Sequence, residues 1–228
     1  MSDKVPKIAV VTSKVGNRNN SQLRNQKKYD NVDYHAFIDS EETSDTWTIH
    51  KTLDFTNDQH FRNRRNAKIY KILPFLFLPG YDYYFWIDST HDIIFDPNEA
   101  IKDLSSDMAV CKHPERVCIY DESGAVKYLK YDYFDLIDNQ MRNYYKDGYP
   151  IKNGLYELGC FILKNTKEMQ EICLMWWENI CKYTSRDQLS YPYVIWKKGF
   201  QPQIIEGSTK HNKYFTRIDP VTPSKKVD

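Results

Sequence analysis

The stretch Tyr81–Asp96, YDYYFWIDSTHDIIFD, limits the possible folds of this chain more than any other. Its Tyr83–Ile87 portion is an unbroken run of aromatic and β-branched residues, which is typical of a central strand buried on both faces. The run ends directly at Asp88, and Ser89–Asp92 adds hydroxyl, imidazole and carboxylate groups. Open α/β sheets bind their ligands at the carboxyl ends of strands. The stretch therefore predicts a buried strand with polar chemistry at its C-terminal end.

Short apolar runs alternate with helical patterns along the chain. Strands are predicted at Lys7–Ser13, Tyr34–Ser40, Trp47–Leu53, Tyr83–Ile87, Met108–Cys111, Leu158–Leu163 and Gln201–Ile205. Helices are predicted at Gln59–Leu78, from Asp96 to about Leu104, at Tyr131–Lys146, at Thr166–Tyr183 and in part of Gln188–Lys197. This alternation indicates an α/β fold whose central sheet is mostly parallel and flanked by helices. We expect one domain over residues 1–218 and a polar tail or linker at 219–228.

The helix at Gln59–Leu78 carries the clearest periodic pattern. Pro74 within it predicts a kink or a break before a second short helix. The apolar stripe of this segment consists of Ile69, Ile72, Leu73, Leu76 and Phe77.

Other local signals are weaker. Asp96 is the expected N-cap of the next helix, with Pro97 at its first position. Gly16–Asp30 is predicted to be a loop or a short exposed helix, Tyr120–Gly124 a turn, and Ser208–Asp228 an irregular polar segment.

The composition disfavours several classes of protein. Lys and Arg number 32 against 31 Asp and Glu, so the chain lacks the basic surplus typical of nucleic-acid binding. The five cysteines form no CxxC pair, which favours reduced, mostly buried thiols. The N-terminus does not resemble a signal peptide, and no stretch approaches the roughly 20 apolar residues that span a bilayer. We expect a cytoplasmic protein with no nucleic-acid partner and no membrane span.

The common nucleotide-binding motifs are missing. The first strand is not followed by GxGxxG, which disfavours a dinucleotide site, and no GxxxxGK[ST] is present for P-loop chemistry. Asp88 could instead help to hold a divalent cation bound to a nucleoside diphosphate, since such ions take carboxylate and phosphate oxygens. The alternative for Asp88 is a solvated carboxylate at a strand end.

Basic residues on the first helix could contact phosphate. At 100° per residue, Arg64, Lys68 and Lys71 share one face opposite the apolar stripe. Arg and Lys pair well with diphosphate oxygens. The face is either a phosphate clamp or a solvated surface.

Two polar clusters lie near later elements. Glu157 precedes a predicted strand, and Thr184–Leu189 lies between two helical runs. Asp187 or Glu157 could accept a proton from an acceptor hydroxyl, and Gln188 could hydrogen-bond a sugar. The alternative for Asp187, shared with Ser185, is an N-cap role.

The order of these pieces resembles the GT-A glycosyltransferases. The resemblance is closest to the glycosyltransferase-like family, formerly of unknown function, of plant mucilage proteins and bacteria. The chain is also similar to the small GT-A domains of large DNA viruses of algae, which decorate capsid glycans. The resemblance covers roughly Lys7–Phe215. The matching residues are Arg64-Arg65, Lys68, Lys71, Leu78-Pro79, Tyr83–Asp88, Glu157–Cys160 and the most specific run, Thr184–Tyr191.

The resemblance implies a set of site residues. Nucleotide-sugar contacts would come from Thr12, Ser13, Arg65, Lys71, Asp88, Arg186 and Gln188. A Mn²⁺ or Mg²⁺ ion would be held by Asp88, with Thr90 and His211 as further ligands. The family's usual D-x-D is Asp88-Ser89-Thr90 here, so the second carboxylate is absent and Asp92 is a possible substitute.

Together these features predict a metal-assisted glycosyltransferase. It would move a hexosyl or deoxyhexosyl group from a nucleoside diphosphate sugar, with UDP as the expected nucleotide, to a glycan or glycoprotein hydroxyl. Asp187 is the first candidate for the base of an inverting reaction and Glu157 the second. The rivals are a sugar nucleotidyltransferase and a non-catalytic module that binds nucleotide sugar or glycan. A viral enzyme would act in the host cytoplasm.

Overall fold

The computed structural model describes residues 5–16 and 22–218. The predicted tail at 219–228 lies outside these ranges, and so do residues 17–21 of the segment Gly16–Asp30 that is predicted to be a loop or short helix. The strands are β1 (Ile8–Lys14), β2 (Val32–Ile38), β3 (Thr48–Lys51), β4 (Tyr83–Ile87), β5 (His91–Ile93), β6 (Met108–Lys112), β7 (Tyr156–Lys164), β8 (Gln203–Ile205), β9 (Gly207–Ser208), β10 (His211–Asn212) and β11 (Phe215–Arg217). The helices are α1 (Arg62–Ile72), α2 (Pro74–Phe77), α3 (Pro97–Ala100), α4 (Ile119–Tyr128), α5 (Phe134–Lys146), α6 (Lys167–Lys182) and α7 (Asp187–Lys198), with a short 3₁₀ helix at Ile101–Asp103.

A seven-stranded sheet forms the centre of the fold. Its strand order is β3-β2-β1-β4-β7-β6-β8. Strands β1, β2, β3 and β4 run parallel to their neighbours within this group, and β6 runs parallel to β8. Strand β7 is antiparallel to both β4 and β6. Each strand predicted from the sequence is one strand of this sheet, so the predicted α/β fold with a mostly parallel sheet is confirmed.

Strand β4 is buried on both faces, as its composition predicts. Tyr84 and Trp86 pack in the core beneath α1, α6 and α7, together with Trp176. Phe85 and Ile87 pack in a second core on the opposite face of the sheet. Each large apolar side chain buried in this way contributes about 1.5–3 kcal/mol. The uninterrupted apolar run is therefore the signature of a strand between two cores.

Several finer expectations are also confirmed. Asp96 caps α3 by accepting a hydrogen bond from the Asn98 backbone N–H at 2.9 Å, and Pro97 occupies the first helical position. All the cysteines are free, and Cys181 alone among them is exposed. In the described part of the chain, no helix combines the length and apolar character needed to cross a membrane.

The predicted turn at Tyr120–Gly124 is wrong, because this segment lies within α4. Ile119 and Val126 are buried at the two ends of the helix, and Glu122 accepts a hydrogen bond from Arg116 at 2.6 Å. A glycine inside a helix costs only about 1 kcal/mol relative to alanine. The burial of the apolar side chains offsets the cost of Gly124.

The predicted apolar stripe of the first helix fails at one position. Ile72 and Leu73 are buried, but the Leu76 side chain is 59% exposed. The helix α1 ends at Ile72, the next residue Leu73 has a non-helical φ of −120° and ψ of 48°, and α2 begins at Pro74. This break changes the rotational phase, so the i+7 relation to Ile69 no longer holds beyond it.

A small second sheet was not predicted. Its order is β5-β11-β10-β9, and three of its strands come from the segment predicted to be irregular. Its strands are two or three residues long, too short to show an alternating pattern. Fully buried Phe215 joins this sheet to the second core. The pairing of β11 with β5 brings residues 215–217 beside His91–Ile93.

The loop before α5 is tied to the start of α7 by Asp132. Its Oδ2 accepts hydrogen bonds from the Ser185 backbone N–H at 2.7 Å and the Ser185 hydroxyl at 2.6 Å. We expect Asp132→Ala to lower the free energy of unfolding by about 2–3 kcal/mol, because the buried Ser185 groups lose their acceptor. Asp135→Ala, at an exposed position in the first turn of α5, should cost under about 1 kcal/mol. Urea unfolding measures both, and equal losses would contradict this role of Asp132.

Candidate active site

A cavity of about 290 Å³ opens where β1 and β4 end. The two strands are parallel neighbours, so their carboxyl ends meet at one edge of the sheet. From β1 the chain builds β2 and β3 on one side and then places β4 on the other side. This is a topological switch point, the place where open α/β sheets bind ligands. The cavity is lined by Ser13, Lys14, Val15, Gly16, Asn63, Arg64, Ala67, Lys68, Lys71, Trp86, Asp88, Ser89 and Thr90.

The basic face predicted on the first helix lies along this cavity. Arg64, Lys68 and Lys71 of α1 all line it, while Ile72 of the same helix is buried in the core. Asp88 stands opposite them at the end of β4 and is the carboxylate among the described lining residues. The cavity therefore has a surplus of positive charge around one acidic group.

A chain of charged groups connects α1, α7 and β4. Asp187 Oδ2 accepts hydrogen bonds from Lys68 Nζ at 2.5 Å and from Lys71 Nζ at 2.6 Å. Lys71 Nζ also lies 3.9 Å from Asp88 Oδ1. The Trp86 indole N–H donates to the same Asp88 oxygen at 2.9 Å. Lys71 is thus held between a buried carboxylate and the carboxylate in the cavity, and Lys68 is bonded to the buried one.

The charged chain changes the pKa of its members. Burial acts to raise the pKa of Asp187, but Lys68 and Lys71 outweigh it and hold the pKa far below its usual range. Burial lowers the pKa of Lys68 to about 8 in spite of the Asp187 carboxylate. Burial acts in the same direction on Lys71, but Asp187 and Asp88 overcome it and raise the pKa.

These surroundings disfavour Asp187 as a general base. A carboxylate that is 4% exposed, bonded to two lysines and strongly acidic has little tendency to take a proton. The Asp187 carboxylate is instead bonded to Lys68 and Lys71. The other predicted base, Glu157, lies outside the cavity lining and accepts a hydrogen bond from the Thr209 backbone N–H at 2.8 Å.

Arg65 does not face the cavity as predicted. Its guanidinium donates to Asp58 at 2.8 Å and to the backbone carbonyls of Ile180 at 2.7 Å and Tyr183 at 3.0 Å. These bonds join α1 to the end of α6. Its neighbour Arg64 lines the cavity instead, because consecutive helical residues point about 100° apart.

The two predicted hydroxyl residues at the end of β1 lie in different places. Ser13 lines the cavity, and its Oγ is buried without a hydrogen-bond partner. Thr12 is fully buried and does not line the cavity, because successive residues of a strand point to opposite faces. Its Oγ1 also lacks a partner.

The predicted Arg186 and Gln188 lie beside the cavity rather than in its lining. Arg186 Nη2 donates to Gln188 Oε1, and the Arg186 guanidinium carbon lies 5.0 Å from the centre of the Tyr131 ring. The Arg64 guanidinium carbon approaches the same ring at 5.6 Å. Tyr131 is therefore a rim residue between two cations, and its position in the sequence carries no signal that marks it.

The predicted metal ligands do not converge. Thr90 is exposed and lines the cavity beside Asp88. His211 is also exposed, lies outside the lining and has its Nδ1 3.3 Å from Thr216 Oγ1. Asp92 is bonded to Arg24 at 2.8 Å and to Gln26 at 3.0 Å.

No group of three or more His, Cys, Asp or Glu side chains suited to a metal occurs among the described residues. An ion at Asp88 would therefore take further ligands from phosphate and water, as Mg²⁺ and Mn²⁺ commonly do with nucleotides. The Asp88 side chain is 48% exposed and accessible from the cavity, so this carboxylate fits such an ion.

A basic cavity around a carboxylate at the switch point is typical of α/β proteins that bind phosphorylated ligands. Comparison with known proteins makes the assignment more specific. Residues 20–210 match the TOD1/MUCI70 glycosyltransferase-like domain. The chain belongs to this family, which confirms the resemblance drawn from the sequence motifs.

One curated relative supports the same assignment. The chain is 30% identical over 146 residues to the Arabidopsis thaliana protein named "Probable hexosyltransferase MUCI70". The match covers 58% of this chain but only 25% of the length of the relative. The similarity expected to viral domains stays a prediction, as does the cytoplasmic location.

Two solved glycosyltransferase structures are distantly similar to this chain in fold. Mouse xyloside xylosyltransferase 1 in its apo form gives a TM-score of 0.47 at 7% identity, over 88% of this chain and 84% of the mouse chain. The apo structure of the bifunctional glycosyltransferase WbbM gives a TM-score of 0.49 at 14% identity, over 85% of this chain and 38% of that one. Neither likeness bears on the activity.

The buried ion pairs of Asp187 with Lys68 and Lys71 should contribute to the stability of the fold. Asp187→Asn should lower the free energy of unfolding at pH 7 by about 3–5 kcal/mol, because Lys68 and Lys71 stay buried without their counter-charge. The lowered pKa of Asp187 means that its contribution is present above the ordinary pKa of 3.8 and is lost as the pH falls below it. The difference in stability between the parent and the variant should therefore stay constant from pH 7 to about pH 5 and shrink only as the pH falls below about 4.

Urea unfolding at several pH values measures this difference. Asp138→Asn is the matched control, since Asp138 is 51% exposed in a surface pair with Lys127 and should cost under about 1 kcal/mol. A loss for Asp187→Asn no larger than for this control would show that the buried pairs do not stabilise the fold.

Proposed function

We propose that this chain transfers a sugar from a nucleoside diphosphate sugar to a hydroxyl group of a glycan or glycoprotein. The observation that carries the proposal is the placement of Arg64, Lys68 and Lys71 around Asp88 at the switch point. A diphosphate is the ligand whose charge suits three cations in one cleft. Membership of a glycosyltransferase-like family and the hexosyltransferase name of the relative support sugar transfer. UDP is the proposed nucleotide.

The described residues divide the work of donor binding. Lys68, Lys71 and Arg64 hold the diphosphate and stabilise the charge that grows on it as the sugar leaves. Asp187 keeps the two lysines pointing into the cavity. A Mn²⁺ or Mg²⁺ ion on Asp88 would add further positive charge beside the leaving diphosphate. Ser13, with its unpartnered hydroxyl, is a candidate donor of a hydrogen bond to the nucleotide.

The proton of the acceptor hydroxyl needs a base if the reaction inverts configuration. The acceptor oxygen then bonds to the anomeric carbon, the bond from that carbon to the diphosphate breaks, and the proton passes to a carboxylate. Because Asp187 is committed to the lysines, Glu157 is the better candidate of the two predicted bases. If the reaction retains configuration, both residues would instead position the substrates.

Donor binding gives the first test. In thermal-shift and calorimetric titrations, UDP or GDP and their sugars should stabilise the protein, by about 2.7 kcal/mol at a hundredfold excess over Kd. Arg64→Gln should weaken binding about tenfold to a hundredfold, because a charge-assisted hydrogen bond is worth about 1.5–3 kcal/mol. Arg62→Gln is the matched control on the same helix, since Arg62 pairs with Asp54 and does not line the cavity.

The outcomes separate the rival functions. No response of the parent to any nucleotide diphosphate would remove the transferase proposal. Binding without hydrolysis or transfer of any donor would favour the non-catalytic module. Turnover of a nucleoside triphosphate with a sugar phosphate would favour the nucleotidyltransferase.

The proposed base has its own test. Glu157→Gln should lower kcat by about a hundredfold or more while the Kd for the donor stays unchanged, since general-base catalysis contributes about 10²–10⁴-fold. Glu157→Asp should restore part of the rate. A kcat equal to that of the parent would remove Glu157 from the chemistry.

A further inference from the structure

His91 carries a buried polar atom without a partner. The residue is 4% exposed, and its Nε2 makes no hydrogen bond in the described structure. Its other ring nitrogen, Nδ1, lies 3.2 Å from Thr90 Oγ1. The Thr209 backbone lies near the imidazole but makes no hydrogen bond of good geometry with Nε2. An unsatisfied buried group costs about 1–3 kcal/mol, so Nε2 is available to a further partner.

The imidazole of His91 and the carboxylate of Asp88 both border the space beside Gly159. A methyl carbon placed on Gly159 would lie 3.4 Å from Asp88 Oδ2, 3.5 Å from His91 Cε1 and 3.6 Å from His91 Nε2. Both groups therefore border the space above Gly159, which the glycine leaves open. The other carboxylate oxygen, Oδ1, is bonded to Trp86, so Oδ2 is the one directed to this space.

A tight turn explains why these two residues can act together. The His91 backbone N–H donates to the Asp88 carbonyl at 2.8 Å, so the chain folds back directly after β4. In an extended D-x-D segment, the residues at i and i+2 share a face. The turn instead brings i+3 back towards Asp88. A D-x-D alignment would instead assign the second metal ligand to Thr90, at i+2, which is exposed.

We propose that Asp88 Oδ2 and His91 Nε2 together bind the divalent cation that accompanies the donor diphosphate, with His91 in place of the missing second carboxylate. This inference rests on the proposed function. The contact between Nδ1 and Thr90 suits such a role, because imidazoles that bind metals are usually oriented by a hydrogen bond from the other nitrogen. The remaining ligands would be phosphate oxygens and water.

The ligand pair makes a prediction about which ion is used. Mg²⁺ takes oxygen ligands in a strict octahedral arrangement, whereas transition ions accept imidazole nitrogen. We expect Mn²⁺ to bind the protein with UDP more tightly than Mg²⁺ does. His91→Asp, which supplies oxygen in place of nitrogen, should reduce this preference.

The test is a titration of Mn²⁺ into protein saturated with UDP, followed by the electron paramagnetic resonance signal of the free ion. His91→Ala should weaken Mn²⁺ binding at least tenfold, and His60→Ala, an exposed histidine outside the cavity lining, should leave it unchanged. Gly159→Ala should also weaken it, because the added methyl enters the space that both ligands face. The methyl meets its neighbours at ordinary contact distances, so this variant should fold even if His91→Ala does not.

Each outcome decides a separate point. Failure of the parent to bind UDP would remove the proposed function itself. Normal UDP and Mn²⁺ binding by His91→Ala and Gly159→Ala would overturn the role of His91 alone. A loss of Mn²⁺ binding in His211→Ala with none in His91→Ala would assign the second ligand to His211 and would also overturn this inference.

Discussion

The buried carboxylate of Asp187, shared by Lys68 and Lys71, is the interaction on which the candidate site depends. It joins the first helix of the fold to the last one, across 119 and 116 residues of sequence respectively. Replacing a buried ion pair by apolar groups is often neutral or stabilising, so stability alone does not account for it. Its effect is positional, since it holds two lysine side chains in fixed orientations at the edge of the sheet. The two ammonium groups are thus fixed in position at the cavity by the fold itself.

The main sheet could be predicted because each of its strands carries a local signal. The runs at Ile8–Lys14 and Tyr83–Ile87 are apolar enough to identify buried strands without any tertiary information. The second sheet could not be predicted, because the two residues of His211–Asn212 pair only in the context of Phe215–Arg217 and of His91–Ile93. Its existence depends on packing against the opposite face of the main sheet rather than on local propensity.

The site residues show a similar division. The helical spacing of Arg64, Lys68 and Lys71 predicted one face correctly, whereas Arg65, which the resemblance assigned to the nucleotide, does not line the cavity. Which arginine faces the cavity depends on the rotation of α1 about its axis, which is fixed by the burial of Tyr70 and Ile72 in the core. Asp187 is predicted from its run as the first candidate for the catalytic base, but its surroundings depend on a distant helix, which pairs its carboxylate with two lysines. Ion pairs of this kind leave no trace in local sequence patterns.

The direction of one strand explains how Gly159 and Glu157 come to be near the site at all. In a wholly parallel sheet, the start of a strand lies at the edge opposite to the ligand. Strand β7 is antiparallel to β4, so its N-terminal residues lie at the edge where β4 delivers Asp88, and the Asp88 backbone N–H donates to the Gly159 carbonyl at 2.8 Å. Glu157 and Gly159, which precede a buried run in the sequence, therefore lie towards the edge of the sheet that carries Asp88, although Glu157 is outside the cavity lining. One antiparallel strand within a mostly parallel sheet thus brings residues of its N-terminal half to the edge where Asp88 lies, and among them Gly159 leaves room beside Asp88 Oδ2.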